Sequence, residues 1–194
     1  MYKYFEGIEN SIKNCQKCKL CKTRNNIVFG EGNKNAKVMI IAEAPGFDED
    51  RLGRPFVGKA GKLLDEVLNE VGLKREEMYI SNIVKCRPPA NRNPMDDEIN
   101  ACLDYLRNQV ILIKPKIIIL LGSIALRTIL GNNYKISLAR GNFIDKKGIR
   151  YMPTWHPAAV LRDVSKKEGF INDFKEVKKE LDKYNNEMIK WKMS

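Results

Sequence analysis

Histidine is almost missing from this chain: His156 is the only one, and tryptophan occurs twice. No apolar run approaches the roughly 20 residues that a membrane-spanning helix needs. Runs such as Ile117 to Leu121 have only the length of a strand, so no membrane partner is expected. The opening Met1-Tyr2-Lys3-Tyr4-Phe5-Glu6 has no apolar core of a secretion signal, which points to a cytoplasmic location with reduced thiols. Internal repeats, low-complexity stretches and linker-like segments are also absent. What remains is one folded unit over residues 1–194, long enough for a full core and too short for two ordinary domains. Acidic residues are the scarcer charge, 24 against 35 basic ones, for a net charge of +11. Such an excess is either a solvated lysine-rich surface or the footprint of an anionic partner, nucleic acid first.

Strands and helices alternate along what is present. Tyr4, Phe5, Ile8 and Ile12 stand at helical spacing. Segments 37–42, 78–84 and 116–121 read as buried strands, and 143–144 and 150–153 as shorter ones. Helices are expected from about Ala60 to Val71, from Met95 to Ile113, from Gly122 to the stop at Gly131, and from Lys166 to Asn185. This order predicts a three-layer α/β/α fold around a central, mainly parallel four-stranded sheet. Ligands of such sheets collect beyond the C-terminal strand ends. Four segments fall there: Glu43-Ala44-Pro45-Gly46, Asn82, Gly122-Ser123 and Trp155-His156-Pro157.

Five cysteines in a reducing compartment suggest metal or cluster ligation before disulfides. Cys15 and Cys18 form a Cys-x-x-Cys pair, while Cys86 and Cys102 flank a proline-rich loop far downstream. Spacing alone leaves zinc, an iron–sulfur cluster and ordinary buried thiols all open. Cys21 sits too close to Cys18 for easy sharing of a tetrahedral site and is read as a non-ligand.

Taken together, the motifs resemble one family. Glu43-Ala44-Pro45-Gly46-x-Asp48-Glu49-Asp50, Gly53-Arg54-Pro55-Phe56-Val57-Gly58, Asn82-Ile83-Val84-Lys85-Cys86-Arg87-Pro88-Pro89 and His156-Pro157 look like the family 4 uracil-DNA glycosylases, the iron–sulfur members of their superfamily. Cys15-x-x-Cys18-x-Leu20 with Arg24, and Gly30-Glu31-Gly32-Asn33, fit the same pattern, so the resemblance spans residues 12 to 162. Two positions depart from it: Ala42 where glycine is common, and Ala158 where serine is frequent.

The resemblance implies a monomeric DNA repair enzyme that hydrolyses the N-glycosidic bond of uracil flipped out of single- or double-stranded DNA. It implies a [4Fe–4S] cluster on Cys15, Cys18, Cys86 and Cys102, joining the N-terminal segment 1–25 to the core. Asn82 would read uracil, Phe56 would stack on it, and His156 would donate a hydrogen bond to O2 of the departing anion. Glu49 would exclude the thymine methyl. Water activation is left open, with Glu43 the nearby carboxylate and Ala44 where related families carry an acid. Ala44 and Gly46 would complete the uracil pocket. DNA contacts would come from Arg87, Ser123, Arg140 and Arg162, with further charge from Arg92, and Leu161 or Val160 would wedge into the duplex. Other readings are a same-fold glycosylase with broader specificity for deaminated bases, or a non-enzymatic zinc-containing nucleic-acid-binding protein. The lysines of the last helix read as a solvated face.

Overall fold

The computed structural model describes the backbone of residues 4–193 and the side chains of residues 4–187; Met1–Lys3 and Ser194 of the expected 1–194 unit lie outside it. The strands are β1 (Glu31–Gly32), β2 (Val38–Ala42), β3 (Tyr79–Asn82), β4 (Ile117–Leu121), β5 (Ile144–Lys146) and β6 (Ile149–Thr154). They form one sheet in the order β1-β3-β2-β4-β6-β5. The inner four are mutually parallel, and β1 and β5 close the edges antiparallel. The expected four-stranded sheet is therefore the parallel centre of a six-stranded one. Its edges are too short and too polar to announce themselves in the sequence.

Helices cover both faces: α1 (Phe5–Ile12), α2 (Phe47–Leu52), α3 (Lys59–Glu70), α4 (Asp96–Ile113), α5 (Gly122–Leu130), α6 (Ile136–Ala139), α7 (Pro157–Arg162) and α8 (Lys167–Met193). The alternation inside each strand decides the layers. Met39 and Ile41 of β2 join Ile118 and Leu120 of β4 under α1, α4 and α5, through Ile8, Leu103, Leu106 and Leu126. Val38 and Ile40 join Ile117 and Ile119 under α3, α7 and α8, through Leu64, Leu68, Val160, Phe170 and Phe174. Fully buried, each such side chain stabilises the fold by roughly 1.5–3 kcal/mol, so the sheet sits between two continuous cores.

Chain order places the functional end. β2 lies at the centre, with β3 on one side and β4 on the other. The chain thus leaves β2 in one direction and later returns to its opposite side. This is the topological switch point, where the loops after neighbouring strands part and leave a crevice. Segment 46–58, where no strand or helix stands among the expected elements, contains the helix α2, closed by Gly53 in the left-handed region at φ 70°.

Candidate active site

A cleft of about 750 Å³ opens at that end of the sheet, lined among others by Glu43, Ala44, Gly46, Glu49, Phe56 and Asn82. Ser123, His156, Leu161, Arg92 and Arg162 complete its walls. The structure therefore brings all the expected base-contacting residues, and two of the expected DNA contacts, into one cavity. They come from four different strand ends.

Asn82 closes β3 with its backbone paired to Ala42 of β2. It is buried, and its Oδ1 has no hydrogen-bond partner. Unpaired buried acceptors are rare because each forfeits its hydration without replacement. Phe56 lies across the cleft with its ring 5.8 Å from that of His156, the planes inclined by 30°. Its backbone holds φ 53°, a conformation uncommon for a bulky residue. The carboxylate of Glu49 maintains it from below: Oε1 accepts from the N–H groups of Val57 and Gly58, both at 2.9 Å. Glu49 thus lines the cleft and also ties the Phe56 turn to α2. Beside it, the buried Asp50 accepts from the backbone N–H groups of Asn25 and Asn26, anchoring the N-terminal segment to the same helix.

His156 caps α7. Its Nδ1 accepts from the N–H of Ala158 at 3.2 Å, so the neutral ring carries its proton on Nε2. Burial, with the nearby Arg162 guanidinium adding to it, pushes the imidazole down to about 4. The ring is therefore neutral at physiological pH. A Cβ on Gly122 would stand 3.2 Å from that of His156 and would require φ 89° of an ordinary residue, so glycine allows β4 and the His156 loop to meet. Glu43 faces the same cavity, and burial raises its carboxyl above the ordinary range. The helix α5 begins at Gly122 with no side chain capping its first turn, leaving Ser123 at an uncapped N-terminus on the cleft wall.

Four of the residues expected at the DNA need comment. Arg140 is engaged within the protein: its guanidinium is bound to the buried Asp173 and to the carbonyl of Gly169, and stacks over Trp155 at 4.1 Å. Asp173 also accepts from Thr154 Oγ1 at 2.5 Å, so this cluster braces the end of β6 just before His156. Arg87 stands outside the cleft lining, at its rim; it lies over the ring of Phe47 and bonds Asn91 at 2.7 Å. Arg92 forks onto the buried Glu98, at 2.9 and 2.7 Å, and so fixes the proline-rich loop as well as lining the cleft. Val160 is corrected as a wedge because it is buried in the α7 core, whereas Leu161 is 48% exposed.

Cys15, Cys18, Cys86 and Cys102 line one small cavity, and Cys21 and Arg24 line it too. Arg24 donates to Cys86 Sγ and the N–H of Lys85 to Cys102 Sγ, each at 3.3 Å. Among the described residues no three Cys, His, Asp or Glu side chains converge as ligands of a single metal ion. Sequence reading does not reach Lys85. It is fully buried, bonded to Ser81 Oγ at 2.5 Å and to Gln109 Oε1 and the Asn82 carbonyl, both at 2.8 Å. Burial pushes its amine down to about 7, against the pull of Cys102. No sequence spacing signals this group, because Gln109 lies 24 residues on, beyond the proline-rich loop and within α4.

This fold and cleft define an α/β enzyme of the base-excising kind, and the sequence profile of the Uracil DNA glycosylase superfamily matches residues 29–187, all six strands included. Type-4 uracil-DNA glycosylases from three organisms are similar along nearly the whole chain. That of Saccharolobus solfataricus is 46% identical over 183 residues, 90% of this chain and 85% of its own. That of Sulfurisphaera tokodaii is 44% identical over 182 residues, covering 89% and 83%. The protein of Archaeoglobus fulgidus is 42% identical over 180 residues, covering 89% and 90%. The chain belongs to the uracil-DNA glycosylase superfamily and, within it, to the type-4 family.

Proposed function

We propose that this cleft takes up a uracil rotated out of DNA and that water then replaces the base at the sugar C1′, leaving an abasic site. The observation that carries the reading is the buried, unpartnered Oδ1 of Asn82. Uracil N3–H is a donor for that oxygen, and uracil O4 is an acceptor for the Asn82 amide N–H. Cytosine presents the reverse pattern at both atoms, so a fixed carboxamide rejects it. Phe56 offers a stacking face, worth roughly 1–3 kcal/mol per base.

The bond between C1′ and N1 breaks as positive charge grows on the sugar and the uracil departs as an anion. His156 donates Nε2–H to uracil O2, where that negative charge develops. A neutral donor already oriented by Ala158 needs no proton transfer to do this, and such preorganised donors contribute a few kcal/mol to a transition state. Glu43, which lines the same cleft, faces the sugar's positive charge. Water enters late, forms the new C1′–O bond and loses its proton to solvent. Ser123 and Arg162 hold flanking phosphates from the cleft wall, Arg87 from its rim, and Leu161 enters the gap left by the base. Incubation with uracil-containing DNA followed by alkali tests this reading. Strand cleavage at uracil is expected, and intact DNA in the presence of folded protein overturns it.

We further infer that Cys15, Cys18, Cys86 and Cys102 hold a [4Fe–4S] cluster. The donor set fits: these four thiols share one cavity, which Cys21 also lines, and two of them receive N–H donors. Burial raises the thiols of Cys18, Cys86 and Cys102, the second to about 11, so these side chains are neutral thiols unless a bound metal takes the place of their protons. When bound, the cluster supplies no electron transfer to base hydrolysis. Its ligands join the segment after α1 to the proline-rich loop and so present Arg87 to DNA.

A further inference from the structure

Lys85 sits where the sheet runs out of strand. On the outer edge of β3, β1 pairs only with Ile80 and Tyr79, and so leaves Ser81 and Asn82 uncovered. On the inner edge Asn82 pairs with Ala42, and the N–H of Ile83 reaches the Ala42 carbonyl at 2.8 Å. The Asn82 carbonyl is bonded instead by Lys85 Nζ, which folds back over one turn of chain to reach it and Ser81 Oγ. Gln109 of α4 receives the third bond of the amine, and its own amide N–H groups reach the Phe29 carbonyl at 2.9 Å and the Tyr79 hydroxyl at 3.2 Å. Gln109 and Cys102 stand seven residues apart, two turns along one face of α4, and Lys85 touches both through Nζ and its backbone N–H. A fully buried amine is expensive to keep, and nothing in the excision chemistry itself uses one.

We propose that Lys85 is a positioning residue for base recognition: with Gln109 and Ser81 it stands in for the missing strand and fixes the Asn82 peptide, so that the Asn82 amide meets uracil in one orientation. The proposal rests on the uracil-excising reading of the cleft. The Oδ1 of Asn82 has no protein partner to orient it. The backbone that carries it is clamped by Ala42 on one side and by Lys85 on the other.

The test is a double-mutant cycle in single-turnover excision of uracil from DNA, using the wild type, Lys85→Met, Asn82→Ala and the double variant. Lys85→Met keeps the stem and removes the donor. It is expected to slow excision by about 10- to 100-fold at unchanged DNA affinity, and to add less than about 2-fold in the Asn82→Ala background, because its effect passes through Asn82. Gln109→Leu weakens the same clamp from α4, away from the cysteines. It is expected to show a smaller loss that likewise disappears without Asn82, and it decides the matter if Lys85→Met does not fold. Wild-type rates in the single variants, or losses that multiply in full with that of Asn82→Ala, overturn the proposal and leave a merely structural lysine. If the wild type itself leaves uracil in place, the reading of the cleft fails instead.

Discussion

His156 ties chemistry to pH in a way that a single residue can test. Its ring titrates at about 4 in the folded chain, below the ordinary 6.5. Between those values the unfolded chain binds a proton that the folded one refuses. The stability due to the neutral ring is thus fully present above pH 6.5 and is lost as pH falls toward 4. From about pH 7 to about pH 5 the wild type should lose about 2 kcal/mol that His156→Ala does not. Denaturant melts of both proteins at the two pH values measure the difference, and parallel losses would mean that the ring is well hydrated. The same substitution should cut the excision rate by about 10²- to 10³-fold, the usual cost of deleting one preorganised donor. DNA affinity should hold; if it falls in step with the rate, His156 is a structural cap of α7 only. Asn82→Ala should weaken excision at least as much, since it removes the group that tells uracil from cytosine.

At the scale of elements, the segment between β2 and α3 forms one wall of the cleft by folding back on itself. A Cβ on Gly61 would run into the backbone carbonyl of Phe56, so α3 and the Phe56 turn can approach only over a glycine. Gly61→Ala should force the turn outward at about 1–3 kcal/mol of stability. It should also raise KM more than it lowers kcat, because the stacking face moves while His156 stays; an unchanged KM would show that Phe56 is not a platform. The cysteines are tested one at a time. Cys86→Ser and Cys102→Ser should lose iron and the visible absorption of a cluster, and Cys21→Ser should retain both; iron lost with Cys21→Ser would overturn the ligand choice. How legible each element was follows from its physics. The four parallel strands are apolar on both faces and stand out in sequence, whereas β1 has only two residues and β5, Ile-Asp-Lys, is half polar. The helix α2 opens with Phe and three acids and reads as loop, because its stability comes from Asp50 and Glu49 binding distant backbone rather than from an apolar stripe. Cleft residues were legible where motif and strand end coincide, as at Asn82 and His156. Lys85, Asp173 and Arg140 were not, since a charged residue's burial depends on partners that only folding supplies.

Over the whole molecule, the net charge of +11 and the placement of its cations bear on how DNA is held. Many of the basic side chains are already engaged: Arg54 with Glu31, Arg75 with Asp65, Arg92 with Glu98, Arg140 with Asp173, Arg150 with Glu180. Along α8, Lys178, Lys179 and Lys183 likewise pair with acids one turn away. The global excess therefore overstates the cations that can meet phosphate at the cleft, where Arg162 and the open N-terminus at Ser123 stand, with Arg87 at the rim. If about four phosphates are neutralised, the salt slope is about −3.6, and affinity should fall by about 150-fold between 50 and 200 mM salt. Arg162→Ala should lower that slope by about one while leaving the preference for uracil over cytosine intact. Replacing Lys179 and Lys183 by alanine should leave the slope unchanged. Fluorescence anisotropy with labelled DNA over a salt series distinguishes the cases: a slope twice as steep, or one that responds to the α8 lysines as strongly as to Arg162, would move the DNA path off the cleft mouth and onto the helical face behind it.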